Sequence, residues 1–153
     1  MTQAKFTKPV NRLASRVGSK GLSRPAAVAQ AGANLDSIRD DILAYVDRHL
    51  AEMEAIAAGC EDGADPALAG LYDPSNAVAG TAGTAGLAPL GKAAYSLCHL
   101  VANGDQHGVY SLPAIKLHLD AMRLLRRFSS PDQDREAAVI LENLAKLVAS
   151  VMA

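Results

Sequence analysis

This chain repeatedly places a capping side chain just ahead of a proline, as with Ser23 before Pro25, Asp73 before Pro74, Ser111 before Pro113 and Ser130 before Pro131. A side-chain oxygen at the cap satisfies an orphan amide of the first helical turn, and a proline in that turn has no amide to lose. The pattern marks helix starts. Behind each start, apolar residues recur every three or four positions, the period of a helix face. No stretch shows the alternation of a half-buried strand, and Ala, Leu, Glu and Arg all favour helix. The expected fold class is all-α.

The stripes give the expected course of the chain. A long helix follows Ser23 to Ala58, with Leu35, Ile38, Ile42, Tyr45, His49, Met53 and Ile56 on one face. Gly32 is a candidate break in it, and Gly59 a natural stop. A connector with a short helical turn at Pro66–Leu71 leads to a helix opened by Asp73. That helix holds Asn76 and the uncharged stretch "GTAGTAG", Gly80 to Gly86, and breaks between Gly86 and Pro89. Leu87, Leu90, Ala93, Ala94, Leu97 and Val101 then form the next stripe, and "NGDQHG" reads as a turn. The helix after Ser111 runs through Phe128 with Ala114, Leu117, Ala121, Leu124, Leu125 and Phe128 inward, and Lys116, Asp120, Arg123 and Arg127 outward. The last helix runs on Val139, Ile140, Leu144, Leu147, Val148 and Val151. About five helices joined by short loops make an antiparallel bundle: a four-helix core plus an N-terminal helix and arm.

Charge is unevenly placed. Six of the 15 Lys and Arg (Lys5, Lys8, Arg12, Arg16, Lys20 and Arg24) precede the first acid, Asp36, which leaves nine against 16 acids, a net of −7. Residues 1–22 read as a basic arm, with a short helix around Val10–Val17, ahead of a single domain at 23–153. Such an arm is a solvated tail or an adaptor for nucleic acid or an anionic surface. No aromatic platform accompanies it, so nucleic acid is not the expected partner. Lys5 and Lys8 precede no apolar core, and no stretch is long and apolar enough to span a membrane, so a cytoplasmic protein is expected. The Leu35–Ile56 stripe is long enough to seat a second copy.

Gly80, Gly83 and Gly86 do not make a phosphate loop. No strand precedes them, and Gly86 is followed by Leu87 and Ala88 where a P-loop needs Lys and Ser or Thr. A flexible linker is equally inconsistent with a stretch set between a helix start and a strong amphipathic stripe. Glycine inside a helix costs about 1 kcal/mol against alanine. Close approach to the backbone, by another helix of the bundle or by a partner, is the physical reason to accept that cost.

The stretch "NAVAGTAGTAGLAPLGKAAYSL" resembles the signature of histidine phosphotransfer (HPt) domains: His-x-x-Lys-Gly-Ser/Thr-Ala, a second glycine, then Leu-x-x-Leu with small residues. With the motif glycine on Gly80, Thr81 and Ala82 take the small pair, Gly86 the second glycine, and Leu87, Leu90, Ala93, Ala94 and Leu97 the following helix. The phosphoacceptor histidine then falls on Asn76 and the motif lysine on Ala79. Three longer segments, "NRLASRVGSKGLSRPAAVAQAGANLDSIRDD", "AGTAGLAPLGKAAYSLCHLV" and "AIKLHLDAMRLLRR", together resemble the CheE-type chemotaxis accessory proteins of bacteria. That likeness implies a signalling context and no particular reaction.

The resemblance implies a docking face without its chemistry. A phosphoacceptor needs a nucleophilic imidazole nitrogen; Asn76 offers an amide, and Ala79 no cation. The resulting expectation is a non-catalytic pseudo-phosphotransfer protein that binds a response-regulator receiver domain or a histidine kinase. Its face would comprise Asn76, Ala79, Gly80, Gly83 and Thr84, flanked by Lys92, Tyr95 and His99. The alternative is an active phosphotransferase using a displaced histidine, His99, expected on an exposed polar face. His49 and His118 read as core or rim residues, and His107 as solvated. No two histidines stand four apart on a helix, and Cys60 and Cys98 have no metal spacing, so neither a metal nor any cofactor is expected. Arg123, Arg126 and Arg127 complement a helix C-terminus or offer a basic patch to an acidic receiver surface.

Overall fold

The structure, a computed structural model, describes residues 23–128 and 133–152, the Leu35 side chain excepted. The arm at 1–22, the short helix at Val10–Val17 and the Ser130–Pro131 start signal lie outside the described residues. Five α-helices carry the described chain: α1 (Arg24–Ala58), α2 (Tyr72–Thr81), α3 (Ala88–His107), α4 (Leu112–Arg126) and α5 (Asp134–Val151). Tight 3-10 turns at Pro66–Leu71 and Ala82–Ala85 flank α2. The described residues include no strand, only an isolated bridge between Gly63 and Tyr110. The fold is an all-α helical bundle, and none of its described helices is long and apolar enough to cross a membrane.

The chain divides into two units, Met1–Asp36 and Ser37–Ala153. The described part of the first is the opening of α1, where Ser23 Oγ accepts the Ala26 amide at 3.4 Å. Gly32 does not break this helix; a Cβ there would meet nothing. The second unit holds the core.

Caps and breaks follow local chemistry, with corrections at Asp73, at Ser111, whose side chain makes no cap bond, and at "NGDQHG". Asp73 is not a cap. The turn at Pro66–Leu71 already has helical backbone and runs straight into α2, so Asp73 falls in the first turn, where its charge faces the positive helix end. The capping carboxylate is Asp65, which accepts the Ala67 amide at 2.9 Å. "NGDQHG" is not a turn either. It is the last turn of α3, closed by Gly108 in the left-handed region at φ 68°. Gly104, inside that turn, is required by packing: a Cβ there would overlap the Tyr110 ring.

Helix α3 is the centre of the second unit, packed against α2, α4, α5 and both 3-10 turns. Leu90, Ala93, Ala94, Leu97 and Val101 are buried on it. Two stripes are displaced from expectation. On α1 the buried residues are Val46, Leu50, Met53 and Ala57, while Tyr45, His49 and Ile56 are half-buried and Ile38 is exposed. On α4 the inward face is Leu112, Ile115, His118, Leu119, Met122 and Leu125, while Leu117 and Leu124 face solvent. Both sides of α4 are apolar, so the stripe alone does not choose. Ion pairs from α4 to α1 help fix the rotation: Arg126 makes two bonds to Asp47, at 2.7 and 2.9 Å, and Arg123 pairs with Glu54. On α5, Ala137 and Leu144 are buried, and Val139 and Val151 are exposed.

Candidate functional site

Helix α2 and the turn after it present one run of small residues. Asn76, Gly80, Gly83 and Thr84 are exposed, and Ala79 is half-buried. A Cβ built on Gly80 or Gly83 would meet nothing within 4 Å. Close packing inside the bundle is therefore not what these glycines serve. Gly86 has a different reason: it closes the 3-10 turn at φ 83°, a backbone region that side chains rarely adopt. Gly91 faces α2 and the turn after it: a Cβ there would stand 3.4 Å from the Ala79 carbonyl oxygen and 3.7 Å from the Ala82 Cβ, ordinary contact distances.

Beside this run, α3 turns Lys92, Tyr95 and His99 outward. The Tyr95 and His99 rings meet edge to face at 4.6 Å and 83°. Tyr72, Asn76, Tyr95, Cys98, His99 and Ala102 line a shallow hollow of about 160 Å³ between the two helices. Of the residues singled out in the sequence, Asn76, Tyr95 and His99 come together here; Ala79, Gly80, Gly83, Thr84 and Lys92 do not line it. Tyr72 was missed. Its signal was available: it is an aromatic one turn before Asn76, in a chain with four tyrosines and two phenylalanines.

The polar groups behind the face are committed. Ser75 is fully buried, and its hydroxyl donates to the Leu71 carbonyl one turn back, which leaves the neighbouring Asn76 on the outer side. The Cys98 thiol lies 3.9 Å from the Tyr72 carbonyl oxygen, and burial pushes its pKa up, so it stays protonated and unreactive. His118, expected in the core or at its rim, is fully buried. Its Nδ1 is 2.9 Å from the Ala114 carbonyl, which only accepts, so Nδ1 carries the proton. Nε2, at 3.1 Å, then accepts from the Ser96 hydroxyl. With both nitrogens satisfied and burial pushing its pKa down, the ring is neutral.

The remaining candidates are held elsewhere. His49 pairs with Glu52 at 2.9 Å, and His107 Nδ1 lies 2.9 Å from the Asn103 carbonyl. Arg123 and Arg126 are engaged with α1, so the basic patch of this helix end reduces to Arg127. Among the described residues no three His, Cys, Asp or Glu side chains gather as a metal site. The face thus combines an amide, two phenol rings and one exposed imidazole beside open glycine backbone. No protein-family model, curated protein or solved structure matches the chain.

Proposed function

We propose that this bundle is a pseudo-histidine-phosphotransfer module of bacterial two-component or chemotaxis signalling, acting in the cytoplasm. It docks a response-regulator receiver domain or a histidine kinase and transfers nothing. The reading rests on the likeness of the 76–97 stretch to HPt domains. The observation that supports it most is that Gly80 and Gly83 stand open on the run that begins at Asn76, clear of the bundle's own packing. A helix surface kept this small admits a partner close to the backbone. The amide of Asn76 cannot take a phosphoryl group as an imidazole does. The test is capture of purified receivers, phosphorylated and unphosphorylated, on the immobilised chain. Binding without acid-labile phosphate appearing on the chain supports the reading, and failure to bind any receiver or kinase contradicts it.

A second reading has its own observation. His99 lines the same hollow as Asn76, one helix over, and is exposed. A phosphoryl group delivered to this face would find an imidazole there. Acid-labile phosphate on the wild-type chain and none on His99→Ala would establish transfer and replace the non-catalytic reading.

A further inference from the structure

The hollow between α2 and α3 does not end at Ala102. A second hollow of about 370 Å³ shares Tyr72 and Ala102 with it and continues to Asp105 and Gln106. The two hollows adjoin at Tyr72 and Ala102. Tyr72 is 44% exposed and Tyr95 60% exposed, so both phenol rings are accessible at the first hollow. The Tyr95 ring meets His99 edge to face. No lysine or arginine lines either hollow. Asp105 lies at the far end, and Asp73 is exposed beside Tyr72. Among the described residues, the cation set over a ring is Arg48 on Tyr45, at 5.2 Å, so Lys92 does not cover Tyr95 from one turn away.

Ring faces carry negative charge density and attract cations. The first hollow has two tyrosines, the Asn76 amide oxygen and no lysine or arginine, with the Asp105 carboxylate in the adjoining hollow, and is complementary to a positive side chain. We propose that the partner docking here inserts an arginine side chain between Tyr72 and Tyr95. The guanidinium is flat, stacks on a phenol ring, and keeps N–H donors free for the Asn76 side-chain oxygen; a lysine ammonium is a compact, strongly hydrated charge that stacks less well. The inference rests on the reading of this face as a docking surface, and it names what the partner brings to it.

The experiment is an amide NMR titration of the full chain with N-acetyl-arginine amide, and with the citrulline analogue as its neutral isostere. The arginine probe should shift Tyr72, Asn76, Tyr95, His99 and Ala102, and the citrulline probe should bind about fivefold more weakly, the ratio expected for one exposed cation–ring contact. Tyr95→Phe keeps the ring and should keep the response; Tyr95→Ala should lose it, and its surface position leaves the fold intact. Equal response to citrulline, a stronger response to N-acetyl-glutamate amide, or no response overturns the proposal. So do shifts at these residues on simple dilution, which would mean a second copy occupies the hollow. Failures separate cleanly. A chain that binds the arginine probe but no receiver or kinase overturns the docking reading. A receiver that binds wild type and Tyr95→Ala equally overturns the arginine and leaves that reading standing.

Discussion

Asp62 holds the start of α4 from 50 residues away: its Oδ1 accepts the Leu112 amide at 2.9 Å. Ser111, the residue the sequence offers as the cap, makes no side-chain cap bond. Next to this contact, Gly63 and Tyr110 exchange backbone hydrogen bonds at 3.1 and 2.6 Å. The connector before α2 is thus pinned to the loop between α3 and α4.

Losing that cap should destabilise the fold. Asp62→Ala is expected to lower unfolding free energy by about 1 kcal/mol, the usual cost of an N-cap, whereas Ser111→Ala should cost much less. Urea unfolding of the two variants decides between them. A larger loss in Ser111→Ala would mean that the cap has been assigned to the wrong residue.

The glycines should separate into two classes. Gly104→Ala drives a methyl into the Tyr110 ring and is expected to cost about 1–3 kcal/mol. Gly80→Ala, on the open side of α2, should stabilise by up to about 1 kcal/mol through helix propensity alone. Thermal unfolding of both variants checks this. Destabilisation of Gly80→Ala on the scale of Gly104→Ala would show that α2 packs against something on that side.

Starts and stops were largely legible in the sequence because they depend on a few neighbouring atoms. Pro25, Pro113 and the Gly59 region mark helix ends by what proline and glycine can do alone. Which way a helix faces was not legible where both its sides are apolar. Leu117 and Leu124 lie on one side of α4, and Ile115, Leu119 and Met122 on the other; the second side packs inward, and Arg126 and Arg123 reach the Asp47 and Glu54 carboxylates. "NGDQHG" misled for a related reason. Gly104 reads as a breaker, yet the Tyr110 ring packed on it rewards a helix at that point. Of the residues that line the hollow, Asn76, Tyr95 and His99 are the ones that motif and helical spacing single out. Tyr72 is not among them, because nothing in a single helix's pattern says that its ring closes a hollow against the next helix.

His118 should make stability depend on pH. Burial holds its pKa below the ordinary histidine value, so the folded state keeps the ring neutral. The unfolded chain takes up that proton near pH 6.5. The contribution is therefore complete above about pH 6.5 and falls as pH drops below it, where the unfolded state binds more protons. His118→Gln is expected to be less stable at pH 7.5 and to lose less on going to pH 5.5 than the wild type. Asp65, whose pKa is lowered chiefly by the Ala67 amide, titrates in both proteins and cancels in the comparison. Parallel losses would show that the imidazole does not charge on unfolding.

The central claim is that the open glycine face docks a signalling partner, and Gly83→Glu tests it most directly. Gly83 has an ordinary backbone conformation with open space beyond it, so the substitution leaves the fold intact while placing a long charged side chain on the face. Calorimetric titration of a receiver that the wild type binds should show at least about a tenfold loss of affinity in Gly83→Glu, or about 1.4 kcal/mol, with unchanged circular dichroism. Unchanged affinity would contradict the claim.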